Sequence, residues 1–227
     1  MFTSYTLANL AQMLADRTDQ SPYWTGPQAQ IAINEALRVY NLLTGVWKQR
    51  IVLTTTPGTI WYTLPSTLVY RVRIEFNSHP LDPGSTHELD NGRPGWEAHT
   101  TATGGPVPST VKLWIPKGLN LLGIYPADAA GSNSLSIDGV RRTPVLASGS
   151  DTLNMSRSEK DAILAYALHA LSFSAGGQIF ASTEVHYKNF ITFCATQNPR
   201  LLQSNFFRGI MGLDLKRQEE PFKVESK

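Results

Sequence analysis

The feature that most constrains this chain is a double change of hydrophobic period. Apolar residues recur at helical spacing up to Trp47, alternate from Gln49, and return to helical spacing after Ser156-Arg157-Ser158-Glu159. A stripe that repeats about every 3.6 residues lies on one face of a helix, and an alternation lies on one face of a strand; neither pattern serves the other element. The chain must therefore run helices, strands, helices in that order. Leu7, Leu10, Ala11 and Leu14 predict a first helix over Leu7–Asp16, capped by Thr3 or Ser4. A second helix follows Thr25-Gly26-Pro27-Gln28, which has the form of a capping box with proline in the first turn. Ile33, Leu37, Tyr40 and Trp47 form one stripe, and Ala32, Ala36, Val39, Leu43 and Val46 the next, so this helix should bury more than one side. From Pro27 to Trp47 it would span roughly 30 Å.

In the alternating region, Gln49–Thr56 and Thr59–Leu64 flank Pro57-Gly58 and predict a hairpin. Val69, Arg71, Arg73 and Glu75 alternate with Tyr70, Val72, Ile74 and Phe76 as one clean strand. Val111–Ile115 and Asn120–Tyr125 form a pair around Pro116-Lys117-Gly118, and Leu135, Ile137 and Gly139 mark another strand. The stretch from Pro80 to Pro108 reads as loop, with turn signals at Pro83-Gly84, Gly92, Pro94-Gly95 and Gly104-Gly105-Pro106. A third helix follows the second capping box, with Ile163, Ala167, Ala170 and Ser174 beside Leu164, Leu168, Leu171 and Ala175, and Gly176-Gly177 stops it. A fourth, over Phe180–Thr196, carries Tyr187, Phe190, Ile191 and Cys194 and ends at Asn198-Pro199. The expected fold class is α+β: a helical bundle with an inserted small antiparallel β unit and a C-terminal extension. Residues 1–48 and 151–198 would be the two halves of the bundle, 49–150 the inserted β unit and 199–227 a C-terminal arm.

Composition narrows the function classes. Net charge is +2, from 20 basic and 18 acidic residues, which by itself is no nucleic-acid footprint, since a duplex binder usually shows a clustered basic face. The single cysteine, Cys194, rules out an intrachain disulfide. The N-terminus MFTSYTLANL has no basic region ahead of an apolar run, so no signal peptide is expected. The most apolar helical stretch, Ala162–Ala175, is shorter than the ~20 residues that span a bilayer. The expectation is a soluble protein, made in the cytosol, with no membrane partner.

Motifs for catalysis and cofactors are missing. There is no Gly-x-Gly-x-x-Gly, no Gly-rich loop ending in Gly-Lys-Ser/Thr and no Gly-x-Ser-x-Gly. His87-Glu88-Leu89-Asp90-Asn91 lacks the second histidine of a zinc-protease helix and is expected in a loop. His79, His87 and His99 are spaced unlike any standard metal-ligand set and read as solvated. His169 reads as an interior or interface histidine, and Cys194, among Phe190, Ile191 and Phe193, as a small buried hydrophobe. Asp82, Glu88, Asp90 and Glu97 crowd the central loops; a pair of carboxylates can hydrolyse a glycoside, but nothing in the sequence pairs these four. Catalytic residues, cofactors and metals are all expected to be none. Five tryptophans, Trp24, Trp47, Trp61, Trp96 and Trp114, are core if buried and a sugar-stacking platform if exposed.

Taken in order, several segments resemble the phage head-to-tail adaptor, or head–tail connector, proteins. They are Tyr23-Trp24-Thr25, Ile33-Asn34-Glu35-Ala36-Leu37-Arg38, Leu43-Thr44-Gly45-Val46-Trp47 and Tyr62-Thr63-Leu64-Pro65. His87-Glu88-Leu89-Asp90, Gly95-Trp96-Glu97, Gly105-Pro106 and Leu122-Gly123-Ile124-Tyr125-Pro126 follow. Thr143-Pro144-Val145-Leu146, Asp151-Thr152-Leu153, Ile163-Leu164-Ala165-Tyr166-Ala167-Leu168-His169 and Gly176-Gly177 complete the set, covering about residues 5–195. The order of the segments, rather than any one of them, carries the resemblance. It implies an assembly protein of the virion head–tail junction, put together in the host cytoplasm. Its partners would be the portal ring, further copies of itself in a ring, commonly of twelve, and the tail or next neck protein. DNA would pass through the ring without sequence-specific contact. No catalytic residue carries over.

The segment after Pro199 lies beyond the resemblance. Leu201, Leu202, Phe206, Phe207, Ile210, Met211, Leu213 and Leu215 put much apolar surface near the C-terminus, and the last dozen residues are charged and expected to fray. One reading is a fifth helix on the bundle; the other is an extended arm that orders on binding. Leu201, Leu202, Phe206, Phe207, Ile210, Met211 and Leu213 are thus the candidate portal or subunit interface. The alternatives are another neck or tail-completion protein, a carbohydrate- or receptor-binding module on the β unit using Trp96 or Trp114, and a hydrolase using the acidic loops.

Overall fold

The computed structural model describes residues 2–18, 23–118 and 120–211. In chain order the elements are β1 (Phe2–Thr6), α1 (Leu7–Ala15), α2 (Gly26–Thr44), β2 (Lys48–Thr54), β3 (Trp61–Thr63), β4 (Leu68–Phe76), β5 (His79–Pro80), β6 (Asp82–Pro83) and α3 (Thr86–Gly92). They continue with β7 (Leu113–Lys117), β8 (Leu121–Tyr125), β9 (Ser134–Arg141), β10 (Thr152–Ser156), α4 (Arg157–Ala175), α5 (Gly177–Ser182), α6 (Glu184–Gln197) and α7 (Asn205–Ile210). Short 3-10 turns cover Trp96–Ala98 and Pro199–Gln203. The chain divides into two compact units, Met1–Thr44 with Pro144–Lys227, and Gly45–Thr143.

In the first unit α2, α4 and α6 pack on one another and α1 packs on α2 and α4. Leu10, Leu14, Ile33, Leu37, Ile163, Leu164, Phe190, Ile191 and Cys194 are at most 1% exposed. Of the sequence stripes, Ala32, Ile33, Ala36, Leu37 and Tyr40 of α2 and Ile163, Leu164, Ala167, Leu168 and Leu171 of α4 thus lie on buried faces, whereas Val39 and Leu43 are half-buried and Val46, beyond the end of α2, is exposed. Two half-buried polar contacts fix the packing. The Tyr40 hydroxyl donates to Glu159 Oε1 at 3.0 Å, while the other Glu159 oxygen takes the Ser156 N–H at 2.6 Å and completes the α4 capping box. Burial, first, and then the Glu159 charge push the Tyr40 phenol well above its ordinary pKa. Burial pushes the Cys194 thiol up to about 12, so it stays a neutral hydrophobe. Asn34 pins Leu146 twice, accepting from its N–H at 2.8 Å and donating to its carbonyl at 2.9 Å.

The helices carry a sheet that the sequence reading did not contain. β1 and β10 pair antiparallel, from Phe2 opposite Ser156 to Thr6 opposite Thr152. Each strand runs directly into its helix. Thr6, not Thr3 or Ser4, caps α1, in a reciprocal capping box with Asn9. Helix α2 stops at Thr44 rather than Trp47, because Gly45 turns left-handed at φ +64°, and a Cβ there would meet the Tyr70 hydroxyl at 2.6 Å. The expected fourth helix is two, α5 and α6, divided at Thr183.

The second unit holds two four-stranded sheets, ordered β2-β9-β4-β5 and β3-β8-β7-β6. Their facing sides share one core of Tyr62, Leu64, Ile74, Leu122, Ile124, Leu135 and Ile137. The expected fold class is corrected here: with 42% helix and 26% strand in three sheets, the protein is mixed α/β rather than a helical bundle with a small β unit. Pro57-Gly58 is not a hairpin turn either, since β2 pairs with β9 and β3 with β8, in different sheets. It lies on a crossover between sheets, as does the connection from β8 to β9. Asp128 joins the two crossovers: its carboxylate takes the Thr55 hydroxyl at 2.6 Å, the Asn133 side-chain N–H at 2.8 Å and the Ala130 N–H at 3.1 Å. Strand β4 is not a clean alternation: register shifts interrupt it between Leu68 and Tyr70 and between Arg71 and Arg73, and beyond them Ile74 is buried in the core while Glu75, on the opposite face, is buried beneath Arg50 and Arg73.

The stretch read as loop is partly ordered. Ser85 and Glu88 form a capping box that starts α3, so His87-Glu88-Leu89-Asp90-Asn91 is helical after all. Leu89 and Trp96 pack over Ile115, Tyr125 and Ala127, on the side of the β3-β8-β7-β6 sheet away from its partner. The Trp96 indole N–H donates to Asp90 at 2.7 Å, and its ring meets Trp61 and Tyr125 edge-on, each at 6.1 Å.

Candidate interaction surface

The candidate interface near the C-terminus is assembled by Asn198. Its side chain donates to the Leu43 carbonyl at 2.7 Å and accepts from the Arg200 N–H at 3.3 Å, turning the chain from α6 into the 3-10 turn. Residues 199–211 therefore form a helical turn and a short helix against α6, not an extended arm. Their apolar side chains do not act alike. Leu201 is 9% exposed and belongs to the core, whereas Leu202 is 41% and Phe206 66% exposed. Phe207, Ile210 and Met211 are half-buried. Phe207 meets Phe206 edge-on at 5.3 Å, and Leu202 and Met211 line a shallow groove with Thr192, Ala195 and Thr196 of α6. Leu213 and Leu215 lie outside the described residues.

The other candidate residues are scattered. Among the described residues, no three His, Cys, Asp or Glu side chains come together as a metal site. His99 contacts the Tyr125 hydroxyl at 3.1 Å, and His87 contacts Asn91 on its own helix. Glu88 and Asp90 are spent on the α3 cap and on Trp96. His169 lies between the rings of Phe180 and Tyr187, with Nδ1 3.1 Å from the Thr183 hydroxyl, which itself meets the Ser172 hydroxyl at 2.6 Å. Burial holds its pKa below the ordinary histidine value, and the cluster ties the α5–α6 junction to α4. Trp96 is 3% exposed and offers no sugar a platform. Trp114 is half-buried with the Arg71 guanidinium 5.7 Å over its ring. No described helix is long and apolar enough to cross a membrane.

One surface escaped the sequence reading. The outer face of the β2-β9-β4-β5 sheet carries a row of ion pairs across three strands. Arg50 donates through two nitrogens to both Asp138 oxygens, each at 2.7 Å, and reaches Glu75 at 3.4 Å; Arg73 takes the other Glu75 oxygen at 2.7 Å. The Arg50 hydrogen bonds hold the Asp138 carboxyl below the usual carboxylate range. Val52 and Val72 beside this row are 60% and 61% exposed. The alternation from Gln49 was the available signal, but it says nothing of which face is left bare.

A model of the family described as SU10 adaptor protein matches residues 5–193 of the chain. Among curated proteins, none matches it.

Proposed function

The chain belongs to the SU10 adaptor protein family, a phage head-to-tail adaptor family, and we propose that its copies close into a ring beneath the portal, extend the DNA channel and dock the tail. That it is a phage adaptor and a virion component follows from the family alone. The observation that carries the finer reading is the extent of the match, which runs through both compact units rather than one. A ring contact of this kind joins two different surfaces of the subunit, so closure is set by the rotation per copy. Leu202, Phe206, Phe207, Ile210 and Met211 are the proposed contact to the portal or the next copy, with Leu201 anchoring them from within the helical unit. DNA passes without sequence-specific contact, in keeping with the near-neutral charge.

Native mass of the chain with and without the portal ring of the same genome tests this reading. A gain of one ring of copies, twelve by the resemblance, only in the presence of portal supports it. A portal that gains nothing beside a chain that stays alone ends it. Phe206→Asp should abolish the gain while leaving the melting temperature of the isolated chain unchanged.

A further inference from the structure

The long open edge of the second unit is strand β2. It ends its sheet, and among the described residues no strand pairs with its other side. The bonds at its two ends, Thr55 N–H to the Asn133 carbonyl and Arg141 N–H to the Trp47 carbonyl, show that odd-numbered residues face β9. Arg50, Val52 and Thr54 therefore aim their N–H and C=O groups outward, while the Lys48 N–H is taken by the Val46 carbonyl at 3.2 Å, and all four side chains are exposed. The other terminal strands of the two sheets, β3, β5 and β6, have only two or three residues, against seven in β2. Natural edges are blunted by a bulge, a proline, shortness or charged side chains; β2 has continuous register and none of the first three, and of its two charged residues Arg50 is engaged by Asp138, which leaves Lys48 at one end.

One segment of the chain itself matches this edge. Pro221-Phe222-Lys223-Val224-Glu225-Ser226-Lys227 alternates apolar or small residues with charged ones. We propose that residues 221–227 of one copy add as an antiparallel strand to β2 of a neighbouring copy. The register sets Phe222 beside Leu53, Val224 beside Ile51 and Ser226 beside Gln49 on the inner side, and Glu225 beside Arg50 and Lys223 beside Val52 on the outer side. Only Lys227 beside Lys48, at the end, is unfavourable. A parallel strand would put Phe222 beside Gln49 and Lys223 beside Arg50, and an antiparallel one shifted by two residues would put Lys227 beside Arg50. Main-chain bonds to the edge supply affinity and the alternating side chains supply register. The inference deepens the ring reading and takes from it the identity of the neighbour, since donor segment and acceptor edge are different surfaces, as a head-to-tail contact requires.

The test uses the full chain and a labelled peptide of residues 219–227, read by fluorescence anisotropy. Saturable binding is expected. In the proposed register the Lys223 and Glu225 amides bond to β2 and the Val224 amide points away. N-methylation at Lys223 should weaken binding by about tenfold or more, and at Val224 should leave it nearly unchanged. Val52→Pro in the protein removes an outward N–H and keeps the β9 ladder, so binding should fall without loss of secondary structure. No saturable binding, as when each tail already occupies its own chain's edge, overturns the proposal. So does equal weakening by the two N-methyl peptides, a result that does not depend on whether any protein variant folds. No portal is present, so a chain that binds this peptide but ignores the portal would sink the ring reading alone.

Discussion

The two sheets of the second unit share a core but meet opposite surroundings on their outer faces. The β3-β8-β7-β6 sheet lies under Leu89 and Trp96, so β8 is buried almost without interruption from Leu122 to Tyr125. The β2-β9-β4-β5 sheet carries salt bridges and two exposed valines on its outer face, and β2 alternates strictly between exposed and half-buried. A sheet buried on both faces reads as a continuous apolar run, and one buried on a single face reads as alternation. Leu121-Leu122-Gly123-Ile124-Tyr125 follows that rule in its sequence, whereas Lys48-Gln49-Arg50-Ile51-Val52 follows it only in burial, with apolar Val52 on the bare face and polar Gln49 on the inner one. The difference teaches that the covering segment, read as loop, is part of the fold, and that the ion-pair row is decoration on a face whose stability comes from its other side.

Trp96→Ala would break the contrast most severely. It opens a cavity over Ile115 and Tyr125 and leaves Asp90 without its indole donor, so a loss of about 3–5 kcal/mol is expected in chemical denaturation. Gly139→Ala on β9 comes next. Its Cβ would lie 2.6 Å from the Tyr70 carbonyl oxygen and 2.4 Å from Leu68 Cδ1, and the forced shift of β4 should cost about 1–3 kcal/mol. Asp128→Ala would loosen the crossovers between the sheets, by about 1–3 kcal/mol, through the unpaired Thr55 and Asn133 groups left behind.

Asp128 also gives the contrast a pH dependence. Burial pushes its carboxyl up, but the bonds from Thr55, Asn133 and the Ala130 and Gly131 backbone outweigh this and hold it below the usual range. A lowered folded-state value means the stabilisation is full above the ordinary carboxylate pKa of about 4 and is lost as pH falls through the folded value. The melting temperature should therefore drop on acidification below that point, and less so in Asp128→Ala. The smallest effect belongs to the bare face. Arg50→Ala should cost less than about 1 kcal/mol, because the Arg50 side chain is itself 53% exposed and the buried Glu75 keeps its ion pair with Arg73; a double-mutant cycle with Asp138→Ala measures the pair. A larger coupling would mean that the ion-pair row is structural.

Legibility followed locality. Helices α2 and α4 were readable because caps and stripes lie within a few turns of each other, and the pairing of β7 with β8 because a short turn joins them. The capping box at Ser85 and Glu88 was present in the sequence, yet the density of glycine and proline around it concealed α3. The bulges in β4 answer to its pairing with β9, more than sixty residues away, and no local pattern announces them. Of the candidate interface, the apolar content of residues 201–211 was legible. That Leu201 faces inward while Leu202 and Phe206 face outward was not, since adjacent residues of a short helical segment part company only once α6 is in place.

The sequence by itself determined the succession of the longer helices and strands, the family resemblance and the want of a catalytic or metal motif, because each of these is written in nearby residues. Only the tertiary structure decided which strands share a sheet, which sheet face is covered, and that β1 and β10 close onto each other. Those choices rest on contacts between residues far apart in the chain, where many partners satisfy the same local pattern and packing selects among them.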